Sequence, residues 1–387
     1  MTFVPTEDLR DIPDDDFRVL VRRFAEGNYP KDMPRHSQRR LHWREVKPWY
    51  MALSQRGWLC PNWPREFGGM GLSASKQLIM IEEFGRHGCA RVNDIGIVML
   101  GPLLIHHGTE EQKAHFLPKI LSGEHIWAQG YSEPNAGSDL AAVRTEAVLD
   151  GDEWVINGQK TWATLGNDAN WVFILARTDK QAKKQAGISF LLVPMDAKGV
   201  TVRPIENLEL FDEFSEIFFD NVRIPKDNLV GKVNDGWTIA KALLGHERVF
   251  IGAPRLSANA LAQLRALAVR MGVAGDPAFE DRFVRLKLDL DDLAALFESY
   301  VEKLRRGETI GADVSILKNF QSELFQRISE EMLQVAGETA GLRKPLDGDA
   351  RLHAAGAYLM ARPTTIFGGS SEIMRNVLAK AVLGLPN

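Results

Sequence analysis

The sequence predicts an α+β chain of several domains, helical at both ends with a β-rich part between. Three observations predict it. Apolar residues recur with helical spacing up to about residue 125 and again from about residue 236. The stretch between them is made of short runs of β-branched and aromatic residues bounded by turn residues. No G-x-G-x-x-G follows a strand, so the order of helices, strands and helices argues against a doubly wound sheet, and a nucleotide would be held in a non-Rossmann way. A chain of 387 residues has room for two or three domains.

Taken in order, Gln77 to Phe84 and Ile95 to His106 carry helical periodicity. Between helices lies Gly57 to Gly71, dense in proline and glycine and too irregular to continue a helix; packing is its first role. The β-rich part opens near Ile126. Leu149-Asp150-Gly151-Asp152-Glu153-Trp154 is a hairpin signal, since Asp-Gly suits the positive φ of a tight turn. Trp171 to Leu175, Ile188 to Val193 and Ile217 to Phe219 read as strands. From Gly236 the chain turns helical again, with amphipathic runs over Phe283 to Arg305 and Asp313 to Gly341.

Composition bounds the function. With 45% hydrophobic and 25% charged residues the chain is ordinary for a soluble globular protein. A formal net charge of -4 gives no basic field for nucleic acid. Cys60 and Cys89 form neither a disulfide framework nor a metal-ligand spacing, so no metal is expected and a reducing cytoplasm is. The acidic start lacks the apolar core of a secretory signal, and the apolar runs at Trp171 to Ala176 and Ile188 to Met195 are too short to insert in a membrane.

Two stretches of the β-rich part carry the chemistry. Gln129-Gly130-Tyr131-Ser132-Glu133-Pro134-Asn135-Ala136-Gly137-Ser138-Asp139 is a loop whose hydroxyls and backbone amides can bind something flat and polar. Asn157-Gly158-Gln159-Lys160-Thr161-Trp162-Ala163-Thr164 follows, where Trp162 offers a ring face and Thr164 a hydroxyl at its edge. Either stretch alone also fits a surface turn of a β domain. Together, in this order and at this spacing, they closely resemble the flavin-binding middle domain of the acyl-CoA dehydrogenase family, and the resemblance runs over nearly the whole chain. Pro64-Arg65-Glu66-Phe67-Gly68-Gly69-Met70-Gly71 is similar to a P-x-x-x-G-G-x-G segment of the same family.

The resemblance implies an N-terminal α-helical domain over 1–125, a β-barrel-like middle domain over 126–235 and a C-terminal four-helix-bundle domain over 236–387. It implies FAD as cofactor, an acyl-CoA thioester as substrate and a trans-2-enoyl-CoA as product. A glutamate removes the α proton, and the β hydride passes to flavin N5. It also implies an electron-transfer flavoprotein as acceptor. The assembly would be a homodimer, a homotetramer or a hetero-oligomer with a related chain. Carried over residue by residue, Gln129, Tyr131, Ser132, Ser138, Trp162 and Thr164 contact FAD, and Ser138 also faces substrate. Gly369, Ser370 and Glu372 lie toward the adenine and pyrophosphate, and Gln334 reaches FAD across a subunit interface.

The catalytic base needs a separate argument. Ile239, Leu243, Phe250 and Ile251 fall on or near one helical face, and Glu247 shares that stripe, four residues after Leu243. Two readings stand for a carboxylate there: an ion pair with a basic group elsewhere, with His246 or Arg248 helping, or a functional acid. Most of the family carries its base in a late loop shaped Tyr-Glu-Gly-Thr. The matching stretch here is Ile366-Phe367-Gly368-Gly369-Ser370-Ser371-Glu372, where Gly368 stands at the base position and holds no proton. A minority of members place the base on the helix matching Glu247-Arg248, which makes Glu247 the base and sets Arg248 near substrate. Glu372 is the second candidate and reads better as a cofactor or cap contact. Two departures remain. Arg270 to Pro277 lacks the phenylalanine of the family's Arg-x-x-Phe-Gly, and Glu338 follows Gln334-Val335-Ala336-Gly337 where glycine is usual. Both are similar to members that take bulky acyl groups, some of which pair two different chains. Two alternatives follow: a partner subunit with an incomplete flavin site, and a related flavin oxidase or monooxygenase.

Overall fold

The computed structural model describes residues 7–37, 39–93, 95–241, 252–306, 308 and 310–386. The chain forms two compact units, Met1–Arg35 with Arg40–Leu243, and His36–Arg39 with Leu244–Asn387. Glu247 and Arg248, with Leu243, His246, Phe250 and Ile251, lie outside the described residues.

In the first unit five helices precede the sheet: α1 (Asp14–Asn28), α2 (Trp43–Arg56), α3 (Ala74–Arg86), α4 (Gly101–His107) and α5 (Glu110–Ser122). Ser73 caps α3, and Thr109 with Gln112 forms a capping box on α5, so both starts are set by local sequence. Glu83 is buried on α3 and accepts from Arg18 and Arg22 of α1, at 2.9 Å each, which ties the two helices where neither carboxylate nor helix could be left unpaired. The proline- and glycine-rich stretch is a packing device, as its composition suggests. Trp63 is buried and donates to Ile97 O at 2.8 Å, and a Cβ on Gly101 would fall 1.8 Å from its ring.

Eight strands follow: β1 (Trp127–Gly130), β2 (Glu146–Asp150), β3 (Glu153–Thr164), β4 (Trp171–Arg177), β5 (Ile188–Pro194), β6 (Val200–Ile205), β7 (Phe214–Pro225) and β8 (Leu229–Val230). Their order is β6-β7-β3-β2-β4-β5-β8, with β1 parallel to β4. The hairpin forms as the sequence indicates, with Gly151 at φ 62° between antiparallel β2 and β3. β4 and β5 are buried on both faces, which explains their unbroken apolar runs. One face, with Phe173, Leu175, Phe190 and Leu192, joins the core of the N-terminal helices. The other, with Val172, Ile174, Leu191 and Val193, packs on Trp154, Ile156, Ile217 and Val222 of β3 and β7, so the sheet curls over its own inner face.

The second unit is a helical bundle around Ser315–Ala336, which packs against Arg255–Arg270, Pro277–Arg305, Ala354–Ala361 and Ser371–Val377. Pro254 stands immediately before the first of these, at φ -67°, a value its ring fixes and a helix start accepts. The amphipathic run that sequence extends to Gly341 ends as a regular helix at Ala336, because Gly337 turns to φ 53° and breaks the repeat.

Candidate functional site

The two sequence stretches meet in the first unit. Ser132 O accepts from Thr161 N at 2.9 Å, and Lys160 Nζ donates to Tyr131 O at 3.3 Å, so the loop after β1 lies against the second half of β3. The joint is ionic as well. Lys160 is wholly buried and donates to Glu133 Oε1 at 2.7 Å and to Leu175 O at 2.7 Å. The second carboxylate oxygen of Glu133 accepts from Arg144 N at 2.6 Å, and the first accepts from Thr145 N at 2.9 Å. Burial presses the Lys160 ammonium down to about 8, a fall that the Glu133 carboxylate limits. Burial acts on Glu133 in the opposite sense, but Lys160 and the two amides outweigh it and hold the carboxyl below its usual range. Between Glu133 and Ala136 the loop closes by two reciprocal backbone bonds of 3.0 Å, beside a cavity of about 310 Å³ lined in part by Asn135, Arg144 and Gly158.

Trp162 is the unusual residue. It sits in a β-bulge of β3, where the register with β7 shifts between Lys160 and Ala163, and its φ is 61°. A bulky side chain in the left-handed region costs about 1–2 kcal/mol. The residue is 59% exposed, and its indole meets the Phe214 ring edge-on, with ring centroids 5.9 Å apart and planes at 84°. A second register shift of β3 lies between Ile156 and Gly158, where Gly158 has a φ of 149°.

The other sequence candidates of this unit divide. Gln129 and Thr164 are half-buried, Ser132 is half-buried and Ser138 is exposed. The Tyr131 ring is in the core, edge-on to Phe173 and Phe190 at 5.7 and 6.4 Å, so what it offers a ligand is its backbone. In the second unit Gln334 is exposed near the end of Ser315–Ala336, and Glu338 is exposed just past it. Ser370 caps the helix Ser371–Val377 and accepts from Ile373 N at 3.3 Å. Gly368 and Gly369 are both left-handed, at φ 65° and 92°, a run that favours glycine. Glu372 is exposed in the first helical turn, where backbone amides and Ser370 hold its carboxyl low. Among the described residues no group of three His, Cys, Asp or Glu is placed to hold a metal, and no helix is long and apolar enough to cross a membrane.

Three family models match in sequence: the acyl-CoA dehydrogenase N-terminal domain over residues 14–124, the middle domain over 128–222 and the C-terminal domain over 234–383. The chain belongs to the acyl-CoA dehydrogenase family. It is accordingly an oxidoreductase of lipid metabolism, with the helical, β and helical architecture of that family. It is 39% identical to acyl-CoA dehydrogenase IpdE1 of Mycobacterium tuberculosis, over 96% of this chain and 98% of the relative. It is 41% identical to IpdE1 of Mycolicibacterium smegmatis, over 96% and 97%. Among solved structures it is similar to the Tcur3481-Tcur3483 steroid ACAD, with a TM-score of 0.86 and 31% identity over 98% of this chain and all of the other.

Sequence reasoning missed the roles of Glu133 and Lys160, although both stand inside the quoted stretches. Their sequence neighbours, Ser132, Pro134, Gln159 and Thr161, give no sign of burial, so the pair shows only when the fold brings the loop onto β3.

Proposed function

We propose that this acyl-CoA dehydrogenase family member uses FAD to convert an acyl-CoA thioester into its trans-2-enoyl-CoA and passes the electrons to an electron-transfer flavoprotein. The observation that carries the reading is Trp162, an exposed indole held at a strained φ beside the Ser132 loop, which fits the face of a flat ring. Gln129, Ser132, Ser138, Thr164 and the backbone of Tyr131 would hold the flavin in the first unit. By the family resemblance, Gly369, Ser370 and Glu372 would lie toward the adenine and pyrophosphate of an FAD, and Gln334 would reach one across a subunit interface. When bound, FAD supplies the hydride acceptor, which no side chain can provide. Glu247 would take the α proton, with Arg248 near substrate or orienting the helix. A backbone N–H of the late loop near Gly368 donates to the thioester oxygen as negative charge develops there.

An anaerobic titration of the purified yellow protein against a panel of acyl-CoA thioesters, straight-chain and steroid side-chain, tests this. Loss of the visible flavin band with at least one of them is expected; a yellow protein that no acyl-CoA bleaches counts against it. Trp162→Gly separates binding from stability. It removes the ring and relieves the backbone, so the apoprotein does not lose melting temperature while flavin is retained about ten-fold less well on dialysis. An unchanged flavin-to-protein ratio would defeat the assignment.

A second reading has its own support. Similar structures include the ChsE4-ChsE5 complex of Mycobacterium tuberculosis and the Tcur3481-Tcur3483 steroid ACAD, each named for two chains, and Glu338 is an exposed charge four residues after Gln334. On that reading the chain completes a partner's flavin site, and the protein is colourless until a related chain is co-expressed.

A further inference from the structure

His42 stands at the start of α2, far in sequence from the motifs, yet its ring is held between two carboxylates that follow and precede the strands of the Trp162 bulge. Nδ1 lies 3.0 Å from Asp168 Oδ2, just after β3, and Nε2 lies 2.9 Å from Asp212 Oδ1, just before β7. Carboxylate oxygens only accept, so both contacts form when both ring nitrogens donate. The fastening is redundant. Trp43 N donates to the same Asp168 oxygen at 2.7 Å, Asn167 Nδ2 to Asp212 Oδ2 at 2.7 Å, and the Phe211 ring lies edge-on to the imidazole at 4.8 Å. The ring is 9% exposed and Asp168 is 16% exposed, while Asp212 is 40% exposed and reaches the ring from the solvent side.

Next to each aspartate runs a segment that helps to fix Trp162. Leu165, at φ 47°, donates its N–H to Glu213 O at 2.6 Å, and Thr164 pairs with Phe214, whose ring meets the indole edge-on. A left-handed pair at 162 and 165 is costly in a strand end and persists only where its surroundings over-determine it. The clamp supplies that surrounding: it joins the end of β3 and the start of β7 to the rigid first turn of α2.

We infer that His42, through Asp168 and Asp212, is a positioning residue that holds the Trp162 indole in its ligand-ready conformation. The inference rests on the flavin reading of Trp162, and the experiment keeps the two apart. His42→Asn preserves a good helix cap but cannot span both carboxylates, and Asp212→Asn keeps shape while removing one charge. FAD affinity and the fine structure of the visible flavin band are measured for each holoprotein, alone and combined with Trp162→Ala. Each clamp variant is expected to weaken FAD about three- to ten-fold with a blurred band, and to change it less than about two-fold once Trp162 is gone, the non-additivity of residues acting through one another. If the effects are additive, or if affinity and band are those of wild type while Trp162→Ala alone weakens FAD, His42 does not act through Trp162. If Trp162→Ala itself leaves FAD unchanged, the flavin reading falls and takes this inference with it.

Discussion

Glu247→Gln is expected to keep its flavin and to lose the reductive half-reaction by about 10³-fold or more, the loss that follows when a positioned general base is removed. The α proton of a thioester is weakly acidic, and glutamine matches glutamate in shape but cannot take it. The choice of Glu247 is by elimination as well as by pattern. Ile239, which shares the sequence stripe with Glu247, is wholly buried and packs against Gly231. The late loop has no carboxylate at Gly368, and its left-handed backbone there suits glycine. Glu372 has the wrong electrostatics: a carboxyl held low by helix-start amides is a poor proton acceptor near neutral pH. Rapid anaerobic mixing with the best acyl-CoA decides the matter, with Glu372→Gln run beside it. A normal bleaching rate in the Glu247 variant, or a collapse in the Glu372 variant alone, would move the base elsewhere.

What the sequence revealed and what it hid have one physical division. Elements written in local chemistry were legible: the Asp150-Gly151 turn and the β-branched runs of β4 and β5. Trp162 was legible as a ring in a motif, but its positive φ comes from the register between β3 and β7, which no local pattern encodes. Tyr131 stood beside Ser132 as a candidate contact, and which face of the sheet its ring takes depends on the helices behind Phe173 and Phe190. His42 meets partners 126 and 170 residues away. A histidine before a helix looks like any other until the fold brings those aspartates to it.

The largest stability effect is expected at Glu133→Gln. The wild-type pair is wholly internal: Lys160 has no exposed surface, Glu133 is 8% exposed, and every oxygen of the carboxylate has a donor. Removing one partner of such a pair leaves an uncompensated buried charge, at a cost of about 3–5 kcal/mol. Against a typical total of 5–15 kcal/mol, that leaves a marginal fold, and it loosens the Ser132 loop that lies over Lys160. Denaturant unfolding followed by two probes measures it; a midpoint shift equivalent to less than about 1 kcal/mol would mean the pair is not buried as a charge pair. The sign of the pH response is a second check. Lys160 already titrates at about 8 in the fold against 10.5 outside it, so between those values the unfolded chain binds more protons and stability rises with pH. Without the Glu133 carboxylate the folded value drops further, so the variant gains stability on going from pH 7 to 9 more steeply than wild type. Adding Lys160→Met should then recover part of the loss and flatten that slope together, because both effects belong to one ammonium.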